Sequence, residues 1–222
     1  MKNQSDLVFK VLSKLQKVEI LDHVLLIGSW CAKFYESYFK GIDYFPRLMT
    51  RDIDFAVPRG ARFSQEVDLE KLLASEGFEI EFLGDGYMRL ESDQLMIEFL
   101  VPEVGRSTTK PYPLKALKWN AQPLRHLDML WRDPIKIKLD QLIIHLPHPI
   151  DFCLNKLIVS GKRKNKDKQL KDLETAALIL EALQVKGELE ILKQVLKTLP
   201  KKEQKAVMLV LEKIEFKLYT AT

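Results

Sequence analysis

The chain has 222 residues and a formal net charge of +4, with 46% hydrophobic and 30% charged residues. This composition, with 9 glycines and 10 prolines, excludes a mainly disordered chain and a fibrous or low-complexity one. No apolar run approaches the roughly 20 residues that a membrane-spanning helix needs, and the N-terminus lacks the long apolar stretch of a signal peptide. We therefore expect a cytoplasmic protein that does not bind a membrane.

Helical and strand patterns are mixed in the first part of the chain. Apolar residues at helical spacing predict a helix over residues 5–21, and a short apolar run that ends at Gly28 predicts a buried strand over residues 24–27. The elements expected next are a helix over 30–39, a loop over 41–49, a strand over 53–57, a helix over 67–76 and strands over 78–82, 87–91 and 95–101. Tight turns separate the last three strands, which predicts an antiparallel hairpin that extends a mixed sheet.

The second part of the chain changes from strands to helices alone. Residues 102–150 are rich in proline, and short strands are expected near 135–138 and 141–145. The helices expected beyond them cover residues 151–160, 167–185, 187–198 and 201–218. This order indicates an α/β (α+β) fold, with an α/β domain over residues 1–150 and a helical C-terminal region over 151–222.

The excess of basic residues lies in the C-terminal region. Residues 151–222 contain 15 Lys and Arg against 10 Asp and Glu, whereas residues 1–150 contain 20 against 21. Five of the basic residues occur within seven positions, namely Lys162, Arg163, Lys164, Lys166 and Lys168. Such a stretch is typical of a solvated loop between helices, and also of a clamp for a nucleoside triphosphate or an RNA backbone.

The pattern of cysteine and histidine argues against a thiol-based or zinc-based site. Cys31 and Cys153 lie far apart in apolar surroundings and no CxxC pair occurs, which predicts buried free thiols. His145 and His148 are separated by Leu-Pro and have no third ligand nearby in the sequence, which argues against zinc.

Three acidic residues are the strongest candidates for chemistry. Asp52 and Asp54 are separated by one residue at the start of the second strand, and alternate strand residues point to the same face. Two like charges on one face repel unless a cation lies between them, and hard oxygen ligands at this spacing suit Mg²⁺ or Mn²⁺. Glu98 is flanked by apolar residues in a core strand, where an unpaired acid is costly to bury, so we expect it at the same edge.

Gly28 and Ser29 follow the first strand and open a helix. Glycine allows a ligand to approach the backbone closely, and a helix N-terminus offers free N–H groups to an anion. These two residues are therefore candidates for holding the terminal phosphates of a nucleotide, beside the carboxylates that would hold a phosphate-bridging metal ion.

Three strings, in a fixed order along the chain, carry a resemblance to a known family. They are Leu26-Ile27-Gly28-Ser29-Trp30, Thr50-Arg51-Asp52-Ile53-Asp54-Phe55 and Ile97-Glu98-Phe99. They resemble the nucleotidyltransferase superfamily of the DNA polymerase β type, in particular its small prokaryotic members. The resemblance implies the nucleotidyltransferase fold and transfer of a nucleoside monophosphate from an NTP to an acceptor hydroxyl, with Mg²⁺.

The same resemblance assigns roles to individual residues. Asp52 and Asp54 would bind the metal ions, Glu98 would bind a metal ion or activate the acceptor hydroxyl, and Gly28 and Ser29 would contact the phosphates. Two departures from the family pattern are a longer spacer between the Gly-Ser pair and the first acid, and Glu where Asp is common as the third acid.

Two basic residues are further candidates for contacting the nucleotide phosphates. Arg51 either contacts a phosphate or forms an ion pair with Asp52 or Asp54. Lys156 lies in the first of the C-terminal helices, which makes it the other candidate.

The C-terminal region loosely resembles another group within the superfamily. Lys156, Lys166-Asp167 and Lys171-Asp172-Leu173 are similar to the helical segment of abortive-infection type IV toxins. This leaves three hypotheses for function. The first is an Mg²⁺-dependent nucleotidyltransferase that modifies an RNA, a protein or a small molecule. The second is a toxin with the same chemistry and an antitoxin partner, and the third is a catalytically inactive module that binds nucleotides or RNA.

Overall fold

The computed structural model of the chain describes residues 2–46, 50–105 and 110–218, without the side chains of residues 2 and 3. The helices within these residues are α1 Lys2–Lys17, α2 Gly28–Phe34, α3 Leu69–Leu73, α4 Pro149–Ser160, α5 Lys166–Lys186, α6 Leu189–Thr198 and α7 Lys201–Lys213. The strands within them are β1 Leu25–Ile27, β2 Asp52–Ala56, β3 Glu79–Phe82, β4 Met88–Glu91, β5 Met96–Pro102, β6 Tyr112–Leu114, β7 Trp119–Leu124, β8 Ile135–Leu139 and β9 Leu142–Leu146. The mixed α/β fold expected from the sequence is confirmed.

Seven of the described strands form one mixed sheet, in which β2 and β5 are the central parallel pair. The order β1-β2-β5-β4-β3 places β1 antiparallel to β2, and β4 antiparallel to both β5 and β3. The second half of β5 pairs in parallel with β7, to which β6 is antiparallel. The expected hairpin β3–β4 therefore extends the sheet, as its tight turns predict.

Strand alternation explains which face of the central strands is buried. In β2, Ile53 and Phe55 are fully buried, whereas Asp52 is exposed and Asp54 is half-buried. The ring of Phe55 stacks on that of Phe99 in β5 at a centroid distance of 5.2 Å, and Trp119 in β7 packs edge-on against Phe99 at 5.6 Å. This aromatic contact lies on the core face of the sheet and leaves the opposite face to the carboxylates.

Strands β6 and β7 are absent from the sequence-based expectation, and proline is the reason. Pro113 lies in β6 and Pro123 in β7, and proline within an apolar run argues against a strand because it cannot donate to the ladder. The structure tolerates both residues, since β6 pairs only with β7 and Pro123 pairs near the end of the β5–β7 ladder. The short strands expected near 135–138 and 141–145 are confirmed as β8 and β9, which form an antiparallel hairpin.

The chain falls into two compact units. The first comprises Met1–Cys31 and Leu48–Pro147, and the second comprises Ala32–Arg47 and His148–Thr222. The first unit therefore contains the nine strands of the described residues, whereas the second contains α4–α7. Residues 32–47, which the sequence pattern places in the first domain, group instead with the C-terminal helices.

Aromatic contacts explain why the segment after α2 groups with those helices. Tyr35 packs edge-on against Phe152 of α4 at 5.7 Å, and the hydroxyl of Tyr38 donates to Oε2 of Glu188 at 2.8 Å. The helix expected over 30–39 instead ends at Phe34, because the amides of Glu36 and Ser37 bond three residues back rather than four. The expected loop over 41–49 extends into residues 47–49, which lie outside the described residues.

The two cysteines are buried free thiols, as the sequence predicts. Burial in the second unit raises the pKa of the Cys153 thiol far above its ordinary value, so the reactive thiolate is disfavoured. Among the residues that the structure describes, no helix combines the length and the apolar composition needed to cross a membrane.

The β8–β9 hairpin contains a histidine that should make stability depend on pH. Burial lowers the pKa of His145, and the nearby charges of Lys136 and His23 lower it further against the opposing effect of Asp22. A histidine with a lowered folded-state pKa binds fewer protons than in the unfolded chain. Stability should therefore fall as pH drops below about 6.5, the ordinary histidine pKa.

We expect the melting temperature of the wild type to fall between pH 7 and pH 5 more steeply than that of His145→Gln. Thermal melts across this range, in buffers of equal ionic strength, measure the difference. Identical slopes for the two proteins would mean that His145 does not contribute to the pH dependence.

Candidate active site

Strand register brings the three candidate acids to one face of the sheet. Asp54 of β2 pairs directly with Glu98 of the parallel strand β5, and Asp52 pairs with Met96. Neighbouring strands lie about 4.8 Å apart, and alternate residues share a face, so the three carboxylates occupy adjacent positions. Asp52 is exposed, whereas Asp54 and Glu98 are half-buried. Such a group concentrates negative charge at one edge of the sheet, where β2 and β5 begin.

Thr50, which is not among the site residues predicted from the sequence, positions Asp52. Its hydroxyl accepts a hydrogen bond from the Asp52 amide at 3.1 Å and donates to Oδ2 of the same residue at 3.2 Å. The Thr50 carbonyl accepts from the side-chain amide of Gln4 in α1 at 2.8 Å. A threonine two residues before an acid is the local pattern that indicates such a turn, because its hydroxyl reaches the backbone two residues on.

Gly28 forms the turn that joins β1 to α2, and the Asp54 carboxylate lies against it. Its φ of +72° is in the left-handed region that favours glycine. Ile27, the last residue of β1, pairs with Asp54 across the antiparallel ladder. A Cβ atom added to Gly28 would overlap Oδ2 of Asp54 and would lie 3.3 Å from its Cγ. The Gly-Ser turn and the acid pair therefore adjoin each other, with Ser29 half-buried at the start of α2.

Arg51 forms its ion pair with a residue other than the two aspartates. Its Nη2 donates to the Ser92 carbonyl at 2.6 Å and lies 3.7 Å from Oε1 of Glu91. The expected ion pair with Asp52 or Asp54 is therefore wrong. The reason is tertiary, since the β4–β5 turn brings Glu91 and Ser92 next to the start of β2 and offers Arg51 a carbonyl as well as a carboxylate.

Lys156 lies in α4 of the second unit and binds a buried aspartate. Its Nζ donates to Oδ1 of Asp172 at 2.7 Å, and Nε of Arg163 donates to Oδ2 of the same carboxylate at 2.8 Å. The Asp172 side chain is only 5% exposed and that of Lys156 is 17% exposed. Two cations thus satisfy both oxygens of one buried carboxylate, which is the condition under which a buried charge is tolerated.

The donor atoms of the acid group fit a hydrated magnesium ion. Asp52, Asp54 and Glu98 supply carboxylate oxygens, which are the ligands that Mg²⁺ prefers. Across residues 2–46, 50–105 and 110–218, no three His, Cys, Asp or Glu side chains stand close enough to form a ready-made metal centre. One or two of these carboxylates would therefore hold Mg²⁺, with water and substrate phosphates as its other ligands, as is usual for this ion in proteins.

Comparison with known proteins shows the family to which the chain is similar. The family model described as Nucleotidyltransferase matches residues 6–199, a range that includes all seven candidate residues. Among solved structures, the chain is similar to ANT(2″)-Ia in complex with adenylyl-2″-tobramycin, with a TM-score of 0.49 and 14% identity over 87% of this chain and 96% of that one. It is also similar to an antigenic nucleotidyltransferase-like protein from Paracoccidioides brasiliensis, with a TM-score of 0.49 and 12% identity over 94% and 88% of the two chains. No relative is found among the curated proteins.

Proposed function

Since the chain belongs to the nucleotidyltransferase family and is therefore a nucleotidyl-transferring enzyme, we propose that Asp52, Asp54 and Glu98 form its active site. There a nucleoside monophosphate passes from an NTP to an acceptor hydroxyl. The observation that carries the proposal is the direct pairing of Asp54 with Glu98, with Gly28 against the Asp54 carboxylate. A glycine turn beside two adjacent acids brings backbone N–H groups for phosphates next to carboxylate ligands for their counterion.

In this reaction, the acceptor oxygen forms a bond to the α-phosphorus of the NTP while the bond to pyrophosphate breaks. Asp52 and Asp54 would hold Mg²⁺, and this ion would neutralise the negative charge that develops on the phosphoryl oxygens during the transfer. Thr50 keeps the Asp52 carboxylate oriented through its two hydrogen bonds. Glu98 is the group placed to accept the proton of the acceptor hydroxyl, because its longer side chain extends from the strand beside Asp54.

Gly28, Ser29 and Arg51 are the proposed phosphate contacts in the first unit, and Lys156 in the second unit stays a prediction from the sequence. Gly28 and Ser29 present backbone N–H groups and a hydroxyl next to Asp54. Arg51 has protein partners in this structure, so an NTP phosphate would share it with Ser92. We include Arg51 as a proposed contact that acts once substrate has bound.

The experiment that tests the function is transfer of label from an NTP. The purified protein is incubated with each α-labelled NTP, Mg²⁺ or Mn²⁺, and either total RNA or a lysate. We expect one NTP to label an acceptor and to release pyrophosphate, with no label after addition of EDTA. The chemical nature of the labelled product shows whether the acceptor is an RNA, a protein or a small molecule. An antitoxin partner stays a prediction. Absence of label and of pyrophosphate with every NTP would favour an inactive binding module.

Ser29→Ala is expected to weaken NTP binding about fivefold, because one net hydrogen bond contributes about 1 kcal/mol. The loss should be larger if the phosphate charge strengthens that bond. Titration with the NTP identified by the labelling experiment measures the dissociation constant. Ser64→Ala, at an exposed loop position of the same unit, is the control and should bind as the wild type does. An unchanged affinity for Ser29→Ala would place the phosphates elsewhere.

A further inference from the structure

The segment that runs from the end of α4 into the first turn of α5 contains the net positive charge of the whole chain. Residues 162–168, here called the basic loop, have five basic residues and one acidic residue. This excess of four equals the formal net charge of +4 for all 222 residues. Outside the basic loop, therefore, acidic and basic residues balance, and the charge is a local feature rather than a general property of the surface.

Hydrogen bonds to buried or backbone groups fix the path of the basic loop. Arg163 is held by the buried carboxylate of Asp172. The side chain of Asn165 accepts from the Lys168 amide at 3.0 Å and caps α5, and the Gln169 amide donates to the Ser160 carbonyl at 2.9 Å. The single guanidinium of the loop is thus engaged inward, and the loop projects its lysines from a defined backbone.

All four lysines of the basic loop are exposed to solvent. Within the described residues, Lys164, Lys166 and Lys168 form no ion pair. Some other lysines of the second unit do pair, such as Lys186 with Glu188 and Lys193 with Glu190. Three ammonium groups so close in sequence repel one another, and an anionic partner would relieve that repulsion.

We propose that the basic loop binds the phosphate backbone of RNA. Lysine ammonium groups bind phosphate as point charges without a fixed geometry, which suits contacts with a flexible chain that carries one charge at every nucleotide. The only arginine of the loop is occupied by Asp172. Leu170 is the exposed large apolar side chain next to the loop, and a single such residue does not provide the apolar face with which a basic helix enters a membrane surface.

The test measures the salt dependence of RNA binding by fluorescence anisotropy with a labelled single-stranded RNA of mixed sequence. The protein carries Asp54→Asn throughout, so that binding is measured without turnover. The variant is Lys164→Gln, Lys166→Gln and Lys168→Gln together, which leaves Arg163 in place. The matched control is Lys201→Gln, Lys202→Gln and Lys205→Gln, three exposed lysines at the start of α7 in the same unit.

We expect the loop variant to bind RNA at least about tenfold more weakly at 50 mM KCl. Its slope of log K against log salt should be flatter by about 2, because three phosphate contacts on a single strand are lost. The control should keep the wild-type slope, and both variants should melt at the wild-type temperature.

Equal slopes for the wild type and the loop variant, or equal losses in the loop variant and the control, would overturn the proposal. Binding of poly-glutamate or of vesicles with 30% anionic lipid as tightly as RNA at equal charge would also overturn it, in favour of an acidic protein or a membrane surface. This readout is independent of NMP transfer, so loss of the RNA site and absence of catalysis are observed separately.

Discussion

Asp54→Asn is expected to reduce NMP transfer by about a thousandfold while the protein remains folded. The change keeps the size of the side chain and removes one of two charges that face each other on β2 and β5. Without that charge the site binds a divalent cation poorly, and electrostatic stabilisation of a phosphoryl transition state is the largest contribution to such catalysis. Repulsion with Glu98 is relieved at the same time, so the metal-free protein should melt at the same or a higher temperature.

Initial rates with the identified NTP and thermal melts with and without Mg²⁺ and NTP measure both effects. Asp93→Asn is the control, because Asp93 is an exposed aspartate in the β4–β5 turn and its change should affect neither quantity. We also expect Mg²⁺ with NTP to raise the melting temperature of the wild type but not of Asp54→Asn. If Asp54 has only a structural role, the result would be the opposite. Asp54→Asn would melt at a lower temperature, and its activity would be lost only in proportion to the unfolded fraction.

Gly28→Ala is expected to lower the free energy of unfolding modestly and the rate of NMP transfer much more strongly. At a φ of +72°, a residue with a Cβ is strained by about 1–2 kcal/mol. The added Cβ would also overlap Oδ2 of Asp54, so the carboxylate must move away from its position beside Glu98. Since displacement of a catalytic group by about 1 Å can reduce a rate by about a hundredfold, we expect a loss of that size.

Gly77→Ala separates strain from displacement. Gly77 has a φ of +79° in the same unit, and a Cβ added there meets no atom within 4 Å. It should lose a similar amount of stability in denaturant titrations while keeping wild-type activity at temperatures where it is folded. If Gly28→Ala also keeps full activity, the position of the Asp54 carboxylate against the turn has no importance for the reaction.

The patterns of the sequence were sufficient for the local structure around the candidate site. An apolar run that ends at Gly28, followed by alternation through Asp52 and Asp54, predicts a strand, a turn and a second strand with its acids on one face. The structure has these features in β1, α2 and β2. They are predictable because side-chain alternation and glycine turns depend on neighbouring residues alone.

Contacts between distant segments lay beyond such patterns. The pairing of Asp54 with Glu98 requires β2 and β5 to be parallel neighbours in one register, and a shift by one residue would move Glu98 to the core face. The ion pair of Arg51 with Glu91 likewise depends on the β4–β5 turn returning beside β2.

Two further features of the structure are not predicted by local sequence patterns: the prolines within strands and the partner of the buried charge of Asp172. The prolines of β6 and β7 argue locally against strands. The sheet accepts them because β6 pairs only with β7, and because Pro123 lies near the end of the ladder between β5 and β7. Lys156 is a candidate phosphate contact from its sequence context, but its ion pair with Asp172 follows from the packing of α4 against α5.

The sequence by itself determined the elements, their apolar faces and the residue types of the site. Only the tertiary structure decided which strands adjoin and which charges meet, because those depend on the free energy of burying the whole core rather than on any one segment.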